Sequence, residues 1–212
     1  MENKTLHEEP LSTFAAIDLE EPFEWVKPLF DEYDIGTIGY AIPRCAPTDL
    51  ETFRYEPLSD SGHIRLLKIH AQHRTDLEPS PIVVELQSYD LNEAPEHFTL
   101  SYTWGRPARH FPEDWNNDSS CRSIVVNGKA SKVRPNLFHA LTRLRLSVQE
   151  SYLWWVDAIC INQQDVTEKG SQIKLMAKIF TKTQSTFGWL GPPDSLTTGA
   201  VRKIDAIAAL WD

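Results

Sequence analysis

Apolar residues form short extended runs over the middle of the chain. The segments His63–Ile69, Pro81–Gln87 and His97–Thr103 are rich in β-branched, leucine or aromatic residues, and polar stretches separate them. We therefore predict three strands. Ser123–Val133 holds two further extended runs around Asn127-Gly128, and Asn-Gly in that position indicates a β-hairpin.

Helical spacing appears in the second half of the chain. After Pro135, with Asn136 as a candidate N-cap, apolar residues recur three or four positions apart at Leu137, Leu141, Leu144 and Val148. The same spacing predicts two more helices, one marked by Ile173, Met176, Ala177 and Phe180 and the other spanning Ala200–Trp211.

Strands and helices then alternate. Tyr152–Ile161 is nearly continuous in apolar residues, which predicts a strand buried on both faces of a sheet, and Thr186–Leu190 predicts another. The order β, α, β, α, β, α is typical of an α/β fold with a mostly parallel sheet flanked by helices. We expect the hairpin to be an addition to this sheet.

The first 60 residues differ from the rest. They hold fourteen acidic and four basic residues and many prolines, whereas residues 61–212 hold sixteen acidic and seventeen basic residues. We predict an irregular acidic arm over residues 1–60 and a folded domain over residues 61–212, because proline interrupts each apolar patch of the arm before it can form a long helix.

Composition excludes several classes of protein. With 41% hydrophobic and 24% charged residues, the chain of 212 residues is typical of soluble globular proteins. We expect no membrane span, no secretory signal and a cytoplasmic location. The three cysteines lie far apart without a CxxC pair, so no metal site is predicted, and the absence of a basic stripe argues against nucleic acid.

Polar side chains gather at the predicted strand ends. Ligands of open α/β sheets bind beyond the carboxyl ends of the strands. We expect one rim in which a carboxylate and amides bind ribose hydroxyls and an indole stacks on a base. Its members are Ser101, Trp104, Gly105, Asp157, Asn162 and Gln163. The alternative is structural: Asp157 caps a strand end and the tryptophans pack in the core.

Two other residues carry chemistry. Glu168 lies at the start of a helix, where a carboxylate meets the positive end of the helix dipole, and stabilisation of this helix end together with Asp165 and Thr167 is the favoured explanation. Cys160 lies in an apolar run without a cationic neighbour, which indicates an inert buried thiol. No Walker loop, GxGxxG, GxSxG or HExxH motif is present.

The order of these segments resembles the HET (heterokaryon incompatibility) domain of filamentous fungi. The similarity covers residues 64–193, and its most specific block is the DAICINQ segment. The matching blocks are Ile64–Leu67, Leu100–Gly105, Asn136–Arg145, Trp155–Gln163, Glu168 to Gln172, and Trp189–Gly191.

This resemblance implies a role in fungal non-self recognition and innate immunity, with programmed cell death of fused cells. HET domains are in turn similar to TIR domains, which have a flavodoxin-like parallel sheet and of which some cleave NAD. The resemblance thus implies a TIR-like fold and makes NAD the candidate substrate; it predicts no particular cofactor. Glycosidic cleavage needs a carboxylate beside the ribose, so Asp157 and Glu168 are the catalytic candidates.

Two departures from the pattern keep alternatives open. Catalytic TIR domains carry their essential glutamate on a helix after the third core strand, whereas no glutamate follows Glu168 here. In addition, Arg106-Pro107 replaces the acidic continuation that follows the WG block. One alternative is a non-catalytic module that binds other HET domains or signalling proteins. Another is an inactive fragment, truncated at its C-terminus.

Overall fold

The computed structural model describes residues 43–71, 80–109, 111, 113–147 and 152–192, all within the compact unit Ile35–Asp212. They form one seven-stranded sheet with three α-helices. The predicted α/β class is therefore confirmed. The strands are β1 (His63–Ile69), β2 (Val83–Asp90), β3 (His97–Tyr102), β4 (Arg122–Val126), β5 (Lys129–Val133), β6 (Leu153–Trp155) and β7 (Thr186–Trp189). The helices are α1 (Pro135–Ser147), α2 (Asp157–Cys160) and α3 (Val166–Lys182), and two single 3-10 turns, Glu113–Asn116 and Asp118–Ser120, follow β3.

The sheet is mixed, so the prediction of a mostly parallel sheet is wrong. Its strand order is β5-β4-β2-β1-β6-β3-β7. β2 with β4, β6 with β3, and β3 with β7 pair in parallel, but β1 runs antiparallel to both of its neighbours, as β5 does to β4. Parallel neighbours need a crossover connection, usually a helix. The sequence predicts no helix between β1 and β2, and the lack of such a crossover already indicated that these two strands pair antiparallel.

The apolar run at Tyr152–Ile161 is not one strand. Only Leu153–Trp155 pairs as a strand, and the DAIC segment is the single helical turn α2. A short apolar run cannot distinguish a buried strand from a buried helix by periodicity. Here the strand and the turn both contain fully buried residues, since Trp154 and Cys160 have at most 1% exposure. The turn places Asp157 at the edge of the sheet instead of within it.

Aromatic side chains fill the core on both faces of the sheet. Phe98, Trp154 and Phe187 contact one another, with ring centroids 5.1 to 5.8 Å apart. Trp155 lies next in β6, points to the opposite face and meets Phe180 of α3. The prediction that Trp154 and Trp155 pack in the core is confirmed. Helix α1 contributes Leu137, Phe138, Leu141 and Leu144 to the core, and it begins at Pro135, which is favoured at the first helical position.

The segment before β1 is attached to the folded domain at several places. Ala130 of edge strand β5 accepts a hydrogen bond from Phe53 N and donates one to Glu51 O, both at 2.8 Å. Further along, the Tyr55 hydroxyl donates to Ile159 O at 3.0 Å. Residues 51–55 therefore cover the outer edge of β5 and continue to helix α2. The domain boundary at residue 60 stays a prediction.

Other predictions have mixed outcomes. The hairpin is confirmed: β4 and β5 pair around Asn127 and Gly128, which have φ values of 49° and 77°, as a type I′ turn requires. Residues 1–42 and the predicted helix at 200–211 lie outside the described residues. Among the helices that the structure describes, none is long and apolar enough to cross a membrane.

The hairpin turn generates a stability prediction. Asn127 holds the turn against β2, because its Oδ1 accepts from Leu86 N at 2.7 Å and its Nδ2 donates to Leu86 O at 2.9 Å. Asn127→Gly keeps the positive φ but removes both bonds, so we expect a loss of about 1 kcal/mol in a urea melt. Asn127→Asp retains only the acceptor and should lose less; equal stability of all three proteins would contradict the role of these bonds.

Candidate functional site

Three strand ends meet at one edge of the sheet. β6, β3 and β7 are neighbours and run parallel, so their carboxyl ends face the same edge. Tyr102 pairs with Trp189 there, whereas β6 ends earlier, with Trp155 opposite Thr99. The chain then turns into helix α2 after β6 and into loops after β3 and β7. We call this region the carboxyl edge. The predicted meeting of these strand ends is present in the structure although the sheet is mixed.

Asp157 is the centre of the carboxyl edge. Its Oδ2 accepts a hydrogen bond from Trp104 Nε1 at 2.8 Å, and its Oδ1 accepts from Ala158 N at 2.7 Å. The Tyr102 hydroxyl also bonds to this carboxylate. A carboxylate offers about four acceptor positions. Three donors therefore leave Asp157, which is half-buried, with capacity for one more donor.

Burial changes the protonation of this cluster. Desolvation raises the pKa of Asp157 above its ordinary value of 3.8, while the bonds from Trp104, Ala158 and Tyr102 oppose the rise. Burial and the nearby Asp157 charge both raise the pKa of Tyr102, so its phenol stays protonated and remains a donor. The edge thus presents a carboxyl group of raised pKa beside a neutral phenol and an indole.

Asn136 joins the ends of β3 and β7. It is fully buried, its Nδ2 donates to Thr103 O at 2.6 Å, and its Oδ1 accepts from Trp189 Nε1 at 2.8 Å. We predicted Asn136 as a helix N-cap, and this is wrong, because it lies inside α1 and both of its amide atoms bond to other elements. Asn136 instead fixes two of the three strand ends at the edge.

Glu168 lies beside this cluster in a buried ion pair. Its Oε1 accepts from Arg65 Nη1 at 2.6 Å and its Oε2 accepts from Arg65 Nη2 at 3.0 Å, and Oε1 also accepts from Asn162 N at 2.7 Å. The side chains of Arg65 and Glu168 are 5% and 9% exposed. Arg65 further donates to Cys160 O and Glu56 O. These contacts are those of a structural pair that holds α2, α3 and β1 together.

Cys160 and Tyr55 complete the buried side of this region. Burial raises the pKa of the Cys160 thiol to about 12, which confirms the interpretation of an inert thiol. Burial also raises the pKa of Tyr55 to about 12, and its ring lies 4.9 Å from the Arg65 guanidinium. Neither group is poised to act as a base or nucleophile at neutral pH.

Two glycines let the loops pack closely at the edge. A Cβ at Gly105 would overlap Asn116 Oδ1, and that oxygen accepts a hydrogen bond from Arg106 N at 3.0 Å. Gly191 has a φ of 118°, and a Cβ there would lie 2.6 Å from Pro107 Cγ. Gly105 is therefore a close-packing position; its predicted role in binding a ligand stays a prediction.

Comparison with known proteins identifies the family. The family described as "Heterokaryon incompatibility protein (HET)" matches residues 97–211. The chain belongs to the HET family. It is also 34% identical over 155 residues to heterokaryon incompatibility protein 6, OR allele, of Neurospora crassa, an alignment that covers 71% of this chain and 22% of that protein. The chain thus spans about a fifth of the length of this relative. No solved structure matches this chain.

The HET chain brings together most of the predicted site residues. Trp104 contacts Asp157 directly, and Gln163 Nε2 donates to Asp157 O at 3.0 Å. Asn162 bonds to Glu168 through its backbone, while its side chain accepts from Gln164 N. Ser101 is separate from them. It is exposed, and since alternate residues of a strand point to opposite faces, it projects away from the face of Tyr102.

Three residues that matter to the HET site were missed. Arg65 lies in the middle of a strand with apolar neighbours, and a charge there is a signal for a buried partner. Tyr102 is the residue before Thr103-Trp104 and lies on the Asp157 side of β3. For Asn136, the sequence indicated only a helix cap. Among the residues that the structure describes, no group of three His, Cys, Asp or Glu side chains is placed to hold a metal ion.

The hydrogen bond between Trp104 and Asp157 leads to a prediction about the pKa of Asp157. Trp104→Phe removes a donor that lowers the Asp157 pKa, so we expect that pKa to rise further in a carboxyl-carbon NMR titration. Because the folded pKa lies above 3.8, the contribution of Asp157 to stability is complete below pH 3.8 and falls as the pH rises through the folded value. The control is Trp189→Phe, whose indole bonds to Asn136 instead; equal shifts in both variants would contradict this assignment.

The buried pair gives a second prediction. Glu168→Gln leaves the Arg65 charge buried without a counter-ion, so we expect a loss of about 3 kcal/mol in the free energy of unfolding. Glu113 is the matched control, because it pairs with Arg106 at 3.4 Å but is 86% exposed, and Glu113→Gln should change stability little. The double variant Arg65→Met, Glu168→Leu should recover part of the loss. Similar melts for Glu168→Gln and Glu113→Gln would refute the structural role.

Proposed function

We propose that this HET chain is a signalling domain of fungal heterokaryon incompatibility that acts in the cytoplasm of fused cells and leads to their death. The support is membership of the HET family and the 34% identity to an incompatibility protein of Neurospora crassa. The similarity lies in the part of the chain that carries the carboxyl edge, since the family match begins at His97, the first residue of β3.

The proposed activity lies in the carboxyl edge. We infer that Asp157 binds the sugar of a nucleotide, with NAD as the substrate. One observation carries this proposal: Asp157 is a half-buried carboxylate with raised pKa, bonded to an indole, at the point where three parallel strand ends meet. Its remaining acceptor position suits a ribose hydroxyl, and Trp104 beside it offers an aromatic surface.

Cleavage of the glycosidic bond of NAD requires a carboxylate that stabilises positive charge, and it does not require a nucleophilic side chain. When the bond between the ribose C1′ and the nicotinamide nitrogen breaks, the electron pair leaves with nicotinamide and the sugar becomes cationic. An ionised Asp157 would stabilise that charge. Water then adds to C1′ and releases its proton to Asp157 or to solvent. Since only the ionised form acts, activity should rise with pH through the raised pKa of Asp157.

In this proposal Glu168 is a positioning residue. It is 9% exposed, both of its oxygens bond to Arg65, and Oε1 also holds Asn162 N. Its catalytic role, which the family resemblance implied, stays untested. A positioning role explains its contacts, because the Asn162 to Gln163 turn in turn bonds to Asp157 through Gln163.

The decisive experiment compares two isosteric changes. Asp157→Asn should abolish both nicotinamide release from NAD and the thermal shift that NAD causes, whereas Asp165→Asn should retain both. Asp165 lies eight residues away and caps α3 through Oδ1, and asparagine caps as well as aspartate does. Melting curves must show that both variants fold. If wild type releases no nicotinamide and shows no shift, the nucleotide proposal fails.

A second candidate is a non-catalytic module that binds other HET domains or signalling proteins. It is favoured by the exposure of Val166 and Leu190, which are 84% and 90% exposed. Expression in fungal cells separates the two functions. If Asp157→Asn keeps its toxicity while cellular NAD stays constant, the interaction module is supported and the enzyme is rejected. Loss of toxicity together with loss of NAD cleavage supports the enzyme.

A further inference from the structure

Helix α3 carries a second apolar face on its solvent side. Val166, Gly170, Ile173 and Ala177, which we call the outer stripe, follow one another at spacings of four, three and four residues. All four are exposed, Val166 by 84% and Ile173 by 53%. That spacing places them along one side of the helix and is the repeat by which helices pair in coiled coils. The inner face, with Gln172 and Ile179 buried, packs on the sheet.

Gly170 has no role in the packing of the described residues. A glycine inside a helix lowers stability relative to alanine. Among these residues, no atom lies within 4 Å of a Cβ built at Gly170, so the fold leaves room for a side chain there. A glycine with space around it suits the close approach of a second backbone from outside.

Within α3, the exposed charges that flank the outer stripe are basic, and one exposed acid, the helix cap Asp165, precedes Val166. Lys169 flanks it on one side and Lys174 and Lys178 on the other, and all three are exposed. The one acid of α3, Glu168, is buried in its pair with Arg65. The solvent face of α3 is therefore an apolar seam between lysines.

We propose that the outer stripe docks an acidic amphipathic helix of another polypeptide. Charge complementarity selects this partner, because two copies of α3 packed together would oppose lysines with lysines. A membrane fits less well, since the stripe has no leucine or aromatic residue to insert and its small residues instead allow backbones to approach. This inference does not depend on the nucleotide proposal.

The length of the outer stripe limits the affinity that we expect for the docked helix. From Val166 to Ala177 the helix advances by about 17 Å at about 1.5 Å per residue. A single pair of helices over three turns buries less than the roughly 1,000 Å² of a stable interface. The contact is thus suited to a transient signalling encounter that weakens at high salt.

The test uses the full chain and designed peptides labelled with fluorescein. One three-heptad peptide has leucine at the seam and glutamate on both flanks; a second has lysine on the flanks, and a third has the first sequence scrambled. We expect fluorescence anisotropy to show at least tenfold tighter binding of the glutamate peptide than of the other two. Equal binding of all three peptides would overturn the proposal.

Variants of α3 separate binding from folding. Gly170→Gln should raise the melting temperature, because it replaces a helix-interior glycine, and should weaken binding of the glutamate peptide at least tenfold. Lys169→Glu with Lys174→Glu should reverse the preference towards the lysine peptide. The control pair, Lys129→Glu with Lys132→Glu on β5, makes the same change of charge and should leave the preference unaltered.

Two other occupants are distinguished by further measurements. Sedimentation velocity that shows a dimer of wild type, lost in Ile173→Asp, would assign the outer stripe to a second copy and overturn the proposal. Tighter binding to phosphatidylserine vesicles than to the glutamate peptide would assign it to membranes. Each result is independent of NAD cleavage, which Asp157→Asn tests separately.

Discussion

The buried ion pair of Arg65 and Glu168 determines how the carboxyl edge is built. Arg65 lies in the central strand β1, and its guanidinium donates to both Glu168 oxygens, to Cys160 O and to Glu56 O. One charged group thereby fixes the start of α3, the end of α2 and the segment before β1. A buried pair adds little net stability over apolar packing, but either charge alone is costly. Its main effect is therefore to exclude arrangements in which these elements separate.

The carboxyl edge results from two independent constraints. The sheet brings the ends of β6, β3 and β7 together, and Asn136 bonds β3 to β7 through Thr103 O and Trp189 Nε1. On the other side, Glu168 holds Asn162, whose neighbour Gln163 bonds to Asp157. Asp157 is thus supported from the loop, from the helix and, through Trp104, from the end of β3. Such support from several elements is what a binding carboxylate needs to keep its geometry.

Local patterns could be predicted where local chemistry decides the structure. The hairpin follows from Asn127-Gly128, and α3 follows from its apolar spacing and its Asp165 cap. Strand direction depends on the connections between strands. The alternating order of strands and helices was taken to imply a parallel sheet, so the direction of β1 was predicted wrongly. Asp157 lies beside the predicted strand ends although DAIC is a helical turn and not part of the predicted strand, because the turn follows Trp155 directly. Arg65 and Asn136 could not be assigned, since their partners lie far away in the sequence.

Helix α3 carries residues of both proposed sites. Glu168 on its inner face holds the Asn162 turn, while Val166 and Gly170, two residues to either side, face outward. A helix moves as a rigid body over one turn, so a tilt at the outer stripe would displace the Glu168 carboxylate as well. Coupling between two sites requires a difference in affinity between two arrangements. The first turn of α3 contributes to both proposed sites, with Val166 in the outer stripe and Glu168 in the support of the Asn162 turn.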